Sequence, residues 1–148
     1  ELEADAFIPP SYIVNEQQKL DIYKRISAIE TEEEYMDMQD ELMDRFGDIP
    51  RSVENLLKIA AIRALAHRAY VTEVVINRQE VRLTMYQKAK LQVEKIPDMV
   101  RSYKGDLKLV PGDVPSFHYI DRRNKNQDSL EMMGKAEEIL KSMCGIRI

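Results

Sequence analysis

Cysteine, histidine, glycine and proline are all scarce in this 148-residue chain, which has one Cys, two His, five Gly and six Pro. A single thiol, Cys144, excludes an internal disulfide framework and any cysteine-rich metal site. It fits a reducing, cytoplasmic compartment. So little Gly and Pro excludes a collagen-like or low-complexity chain. Apolar runs extend only a few residues, too short to span a membrane. Positive charge is not in excess: 22 Lys and Arg face 26 Asp and Glu, a net charge of −4. That balance argues against a general nucleic-acid binder. There is no Gly-rich phosphate loop, no His-x-Glu and no His-Glu-x-x-His. His67 and His118 read as structural or surface histidines, Cys144 as a small hydrophobe, and the eight Met as packing residues. The opening Glu1-Leu-Glu-Ala-Asp5 has neither the basic stretch nor the apolar core of a signal peptide, and without an initiator Met it reads as a piece of a longer protein.

What the chain does have is ordinary globular material, 44% apolar and 32% charged. Its length supports one domain over residues 1–148, able to bury roughly two-thirds of its unfolded surface.

Residues 1–14 read as an extended lead-in, because Pro9-Pro10 disfavours helix on both sides. Asn15 is an N-cap for a helix to about Ile29, with Ile22, Ile26 and Ile29 on its buried face and Leu20 and Tyr23 widening it. Thr31-Glu-Glu-Glu34 is a capping box for a second helix to Phe46, closed by Gly47, with Tyr35, Met38, Leu42 and Phe46 inward. Pro50 starts a third, largely apolar helix over about Arg51 to Ala69. The hydrophobic period then changes from 3.6 to 2. Val71–Ile76 and Val81–Met85 make a hairpin about Asn77-Arg-Gln-Glu80. A short helix is expected within 91–103, using Val93, Ile96, Val100 and Tyr103, with Pro97 in its first turn. Strands follow at 107–110 and 117–120. A last helix over about Ser129 to Met143 is capped by Asp128 and closed by Gly145. The order predicts an α+β fold: three N-terminal helices, then a small, mainly antiparallel sheet with one short helix and a C-terminal helix.

The sharpest feature is charge. From Glu30 to Glu54 ten acids face only Arg45 and Arg51, a net of −8. Asp37, Asp40, Glu41 and Asp44 fall at i, i+3, i+4 and i+7, one face of the second helix. Like charges so spaced cost a few tenths of a kcal/mol per pair. The plain reading is a solvated face; the functional one is a docking surface for a basic partner. A shared magnesium ion is the third reading, but no second acidic helix with a matching motif exists. Between Arg101 and Lys125 the sign reverses to a net of +3, with Tyr103, Phe117, His118 and Tyr119 among Arg122, Arg123 and Lys125. Basic plus aromatic residues can contact nucleic acid; the alternative is that the aromatics belong to a strand's buried side.

Three segments carry a resemblance: Asp5-Ala-Phe-Ile-Pro-Pro-Ser-Tyr-Ile13, Gln18-Lys-Leu-Asp-Ile-Tyr-Lys-Arg-Ile26 and Glu41-Leu-Met-Asp-Arg-Phe-Gly-Asp-Ile-Pro50. Together with Val53-Glu-Asn-Leu-Leu-Lys-Ile-Ala60 they resemble the C-terminal (TRCF) domain of the bacterial transcription-repair coupling factors, Mfd. The resemblance runs along the whole chain and is specific to about residue 76. It implies a parent that is an ATP-driven double-stranded DNA translocase, displacing stalled RNA polymerase and recruiting UvrA, with ATP and Mg bound outside this segment. It implies for this domain no cofactor, no metal and no catalysis, but a regulatory, autoinhibitory role: packing as a monomeric unit on the parent's UvrB-like N-terminal module and masking the surface UvrA uses. Residue by residue, Glu41 and Asp44 become acceptors for arginines of that module, with Asp37 and Asp40 as extensions and Arg45 as a brace. The alternative is an accessory module contacting DNA or RNA polymerase through the basic 101–125 region.

Overall fold

The computed structural model describes residues 5–122 and 128–148. They form two compact units, one ending at Ala64 and the other running from Leu65 to Ile148.

The first unit holds α1 (Glu16–Ser27), α2 (Glu32–Phe46) and the larger part of α3 (Arg51–Arg68). Side chains cap the first two helices as the sequence predicts. Asn15 Oδ1 accepts from Gln18 N at 3.0 Å, and Thr31 Oγ1 from Glu34 N at 3.1 Å. The return bond of the Thr31 box goes to Glu30 N instead of Thr31 N. Gly47 follows α2 at φ +87°, a backbone position that costs a side-chain-bearing residue strain. The core gathers Ile8, Ile13, Ile22, Ile26, Ile29, Met38, Leu42, Val53 and Leu57, ringed by Tyr12, Tyr23, Tyr35 and Phe46.

Among the described residues of the lead-in, 5–14, none lies in a strand. The lead-in turns at residues 10–12, where Tyr12 N donates to Pro9 O at 2.9 Å, and packs through Ile8 and Ile13. It is tied down by Ile8 N donating to Tyr23 Oη at 2.7 Å and by Tyr12 Oη donating to Gly47 O at 2.9 Å. One expectation for α1 is corrected. Leu20 lies outside the core, 52% exposed, because its position falls off the Ile22–Ile26 stripe.

The second unit is a four-stranded, wholly antiparallel sheet in the order β1-β2-β4-β3, with β1 Val71–Ile76, β2 Glu80–Met85, β3 Leu107–Val110 and β4 Ser116–Ile120. The β1–β2 turn is organised by Asn77, whose Oδ1 accepts from Gln79 N and Glu80 N, both at 2.9 Å. Register puts Val81, Leu83, Phe117, Tyr119 and Leu107 on one face, where they are buried. α5 (Ser129–Cys144), capped by Asp128 Oδ1 on Glu131 N at 2.9 Å, packs on β1 and β2. It buries Met132, Met133, Ala136, Ile139, Leu140 and Met143. The predicted 91–103 helix is shorter than expected: a 3-10 turn at Val93–Lys95 leads into α4 (Ile96–Arg101). Proline at the start of α4 resets the helix, so Val93 is left exposed and Met99 takes the buried place. Only Leu107 of β3 is buried, since β3 is an edge strand.

Candidate interaction surface on the second helix

α2 is amphipathic, with Met38 and Leu42 buried and Tyr35 and Phe46 half-buried on the inner side. Glu32, Glu33 and Glu34 occupy its first turn, where the exposed N–H groups favour negative charge. Three of the four acids singled out by spacing point to solvent: Asp37, Asp40 and Asp44. Among the described residues no cation comes within ion-pair distance of any of them. Exposed Met36 and Met43 lie on the same helix, at 57% and 53% accessibility.

Glu41 differs from them. The Arg25 guanidinium, from α1, bonds both its oxygens, Nη1 to Oε2 at 2.6 Å and Nη2 to Oε1 at 2.5 Å. Arg45, one turn on, adds Nη1 to Oε2 at 2.7 Å. Arg25 also lies 4.0 Å from Asp21, and the Arg45 guanidinium sits 4.8 Å from the Phe46 ring centroid. The hydrogen bond from Arg25, then that from Arg45, holds the Glu41 carboxyl down at about 2; partial burial opposes them and loses. Arg45 is thus paired within its own helix, and Glu41 is engaged by two guanidinium groups of this chain. Arg25 was missed at sequence level. It lies sixteen residues from Glu41 on another helix, beyond the reach of helical periodicity. The one available hint was the four-residue link between α1 and α2, which makes the two helices neighbours.

The basic region is arranged differently. Tyr119 and Phe117 are buried, Tyr119 meeting Tyr103 edge-on at 6.0 Å between centroids. On the opposite face of the sheet, register aligns Arg82, His118 and Lys108 across three strands, with Glu73 and Glu80 on the same face. His118 Nε2 is 2.9 Å from Ser116 Oγ, which gives it a local partner. Arg122 is exposed; Arg123 and Lys125 lie outside the described residues. Cys144 is half-buried beside Leu65 O, and burial raises its thiol above the usual range. Among the described residues no group of three His, Cys, Asp or Glu is placed to hold a metal ion, and no helix is long and apolar enough to cross a membrane.

The helices followed by a helix-backed, four-stranded antiparallel sheet make an α+β fold. The TRCF domain family model matches residues 2–96, and the chain belongs to that family. Its relatives include proteins named transcription-repair-coupling factor. The one from Staphylococcus haemolyticus is 42% identical over 93 residues, 63% of this chain, and the one from Bacillus subtilis is 37% identical over 94 residues, 64% of this chain. The chain spans 8% of the length of each. A crystal structure of the C-terminal domain of transcription-repair coupling factor shares the fold at a TM-score of 0.79, with 22% identity, over 99% of this chain and 91% of that one.

Proposed function

We propose that this chain is the regulatory C-terminal domain of a transcription-repair coupling factor, a cytoplasmic ATP-dependent DNA translocase that displaces stalled RNA polymerase and recruits UvrA. In this reading the domain performs no catalysis. It packs on the UvrB-like N-terminal module of the parent and masks the surface that UvrA binds. The observation that carries it is the row Asp37, Asp40 and Asp44, three carboxylates on one exposed helix face with no cation of this chain's described residues against them. Leaving such a row uncompensated costs stability, and a partner's arginines would recover it through charge-assisted bonds. Tethering in the parent supplies effective concentration, so the contact works even when weak between separate pieces.

The test is titration of this chain against the parent's UvrB-like region at several salt concentrations, with wild type, Asp44→Arg, and Asp40→Arg/Asp44→Arg. Binding that weakens with salt and is abolished by charge reversal supports the clamp. Equal binding of all three moves the contact off this face.

A second reading has one observation behind it. Arg82 and Lys108, aligned with His118 across three strands, put two cations on the outer sheet face, suited to a phosphate backbone. Glu73 and Glu80 on that face work against it. It predicts DNA binding that falls steeply with salt and is lost in Arg82→Ala/Lys108→Ala.

A further inference from the structure

Charge is unevenly divided along the chain. Residues 65–148 hold 15 Lys and Arg against 11 Asp and Glu, a net of +4, while the whole chain carries −4. Three segments of this unit contain no acid: residues 65–72, 84–93 and 139–148. Folding joins them at the end of the sheet where β1 begins and β2 ends, with Val71 opposite Met85. Tyr86 N donates to Tyr70 O at 2.7 Å, Gln92 N to Ile146 O at 2.7 Å, and Ile148 N to Lys90 O at 2.9 Å. Cys144 Sγ lies 3.7 Å from Leu65 O and closes the circuit. Arg68, Lys88, Lys90, Lys141 and Arg147 are exposed on these segments. No carboxylate of the described residues lies within ion-pair distance of any of the five. The Arg147 guanidinium sits 5.4 Å from the Tyr70 ring centroid, a contact that orients it. Arg68 and Arg147 both act on the Cys144 thiol as positive charges, against the burial that raises it, so both lie near one point of this surface. Tyr86 is 47% exposed.

We propose that this acid-free surface binds a single-stranded nucleic acid, with phosphates on Arg68, Arg147, Lys88 and Lys90 and a base stacked on Tyr86. Cations without carboxylate partners favour a polyanion, whose counterions are released on binding. The guanidinium forks of Arg68 and Arg147 match phosphate oxygens in pairs. A single strand presents phosphates and open base faces together, as this surface presents cations and an exposed ring together. An acidic peptide would use the cations and leave Tyr86 without a role. A duplex keeps its base faces inside the stack. The surface shares no residue with the acidic row of α2 or with the Arg82, His118 and Lys108 row, so its failure would leave both of those untouched.

The test is fluorescence anisotropy of a labelled oligothymidylate titrated with the chain at several salt concentrations. Expected is saturable binding whose log affinity falls with log salt by about 0.7 per phosphate engaged. Arg68→Ala/Arg147→Ala should flatten that slope by about 1.4 and weaken binding roughly tenfold or more at low salt. Lys88→Ala/Lys90→Ala should act in the same direction. Tyr86→Leu should weaken binding about fivefold or more and leave the slope unchanged, since it removes stacking and no charge. Arg82→Ala/Lys108→Ala, on the outer sheet face, should change neither. No binding at low salt, an unaltered slope in both patch variants, or equal loss in Arg82→Ala/Lys108→Ala would each overturn the proposal. So would equal binding of a duplex, or displacement of the strand by polyglutamate at matched charge. Every substituted side chain is exposed, and far-UV circular dichroism checks the fold of each variant.

Discussion

Arg25 of α1 clasps Glu41 of α2 through both guanidinium Nη atoms, at 2.6 and 2.5 Å. The pair joins two helices across their solvent edge and removes one acid from an otherwise free row. Its neighbours Asp37, Asp40 and Asp44 are exposed, with no cation of the described residues within ion-pair distance.

Glu41→Gln removes the charge but keeps the shape. The ion pairs are partly exposed, so the loss is discounted for solvent screening to about 1 kcal/mol. Urea unfolding should show a lower midpoint with an unchanged slope. Arg25→Gln should lose a similar amount, and the double variant Arg25→Gln/Glu41→Gln little more than either single one, as expected for a coupled pair.

Acid should weaken the wild type through the same carboxyl. Glu41 sits at about 2 in the fold, against an ordinary value of 4.5. Between those values the unfolded chain binds more protons than the folded one, so stability rises with pH. The contribution is full above about 4.5 and is lost as pH falls toward 2. Urea midpoints measured from pH 6 to pH 2 should fall less steeply in Glu41→Gln than in wild type.

Leu42 and Met43 are adjacent in sequence and opposite in environment: Leu42 is fully buried and Met43 is 53% exposed. Leu42→Ala should cost about 2–5 kcal/mol by lost transfer energy and cavity formation. Met43→Ala should stay within about 0.5 kcal/mol. Thermal unfolding of both variants checks this, and equal effects would contradict the described α2 orientation.

Tyr12 anchors the lead-in through its hydroxyl, which donates to Gly47 O at 2.9 Å and Leu42 O at 3.2 Å. Tyr12→Phe keeps the 5.8 Å ring contact with Phe46 and leaves those carbonyls without that donor. The expected loss is about 1 kcal/mol, with faster amide exchange in residues 10–13 as the local signature.

Lys104 holds a left-handed backbone at φ 54°. That conformation costs a residue with a Cβ roughly 1–2 kcal/mol. Glycine there relieves it while giving back roughly 0.5–1 kcal/mol in unfolded-chain entropy. Lys104→Gly should therefore hold or raise stability by up to about 1 kcal/mol, seen as an equal or higher unfolding midpoint.

Much of this molecule is local and can be read from sequence. Asn15, Thr31 and Asp128 cap helices because a short polar side chain reaches the free N–H groups of its own first turn, as all three do here. The change of period after Ala69 marks the shift from helices to hairpin, because side chains alternate on strands and recur every 3.6 residues on helices. The acidic row on α2 is equally local, since spacing alone puts Asp37, Asp40 and Asp44 on one face. What only tertiary structure decides is which charges find partners. Glu41 looks like its neighbours in sequence and becomes the paired one because Arg25 is brought from another helix. Strand register lines up Arg82, His118 and Lys108, and folding of α5 over the sheet sets Lys135 against Tyr119. Periodicity acts within one element over a few residues, whereas ion pairs and clefts depend on distances between elements, which exist only once the chain has packed.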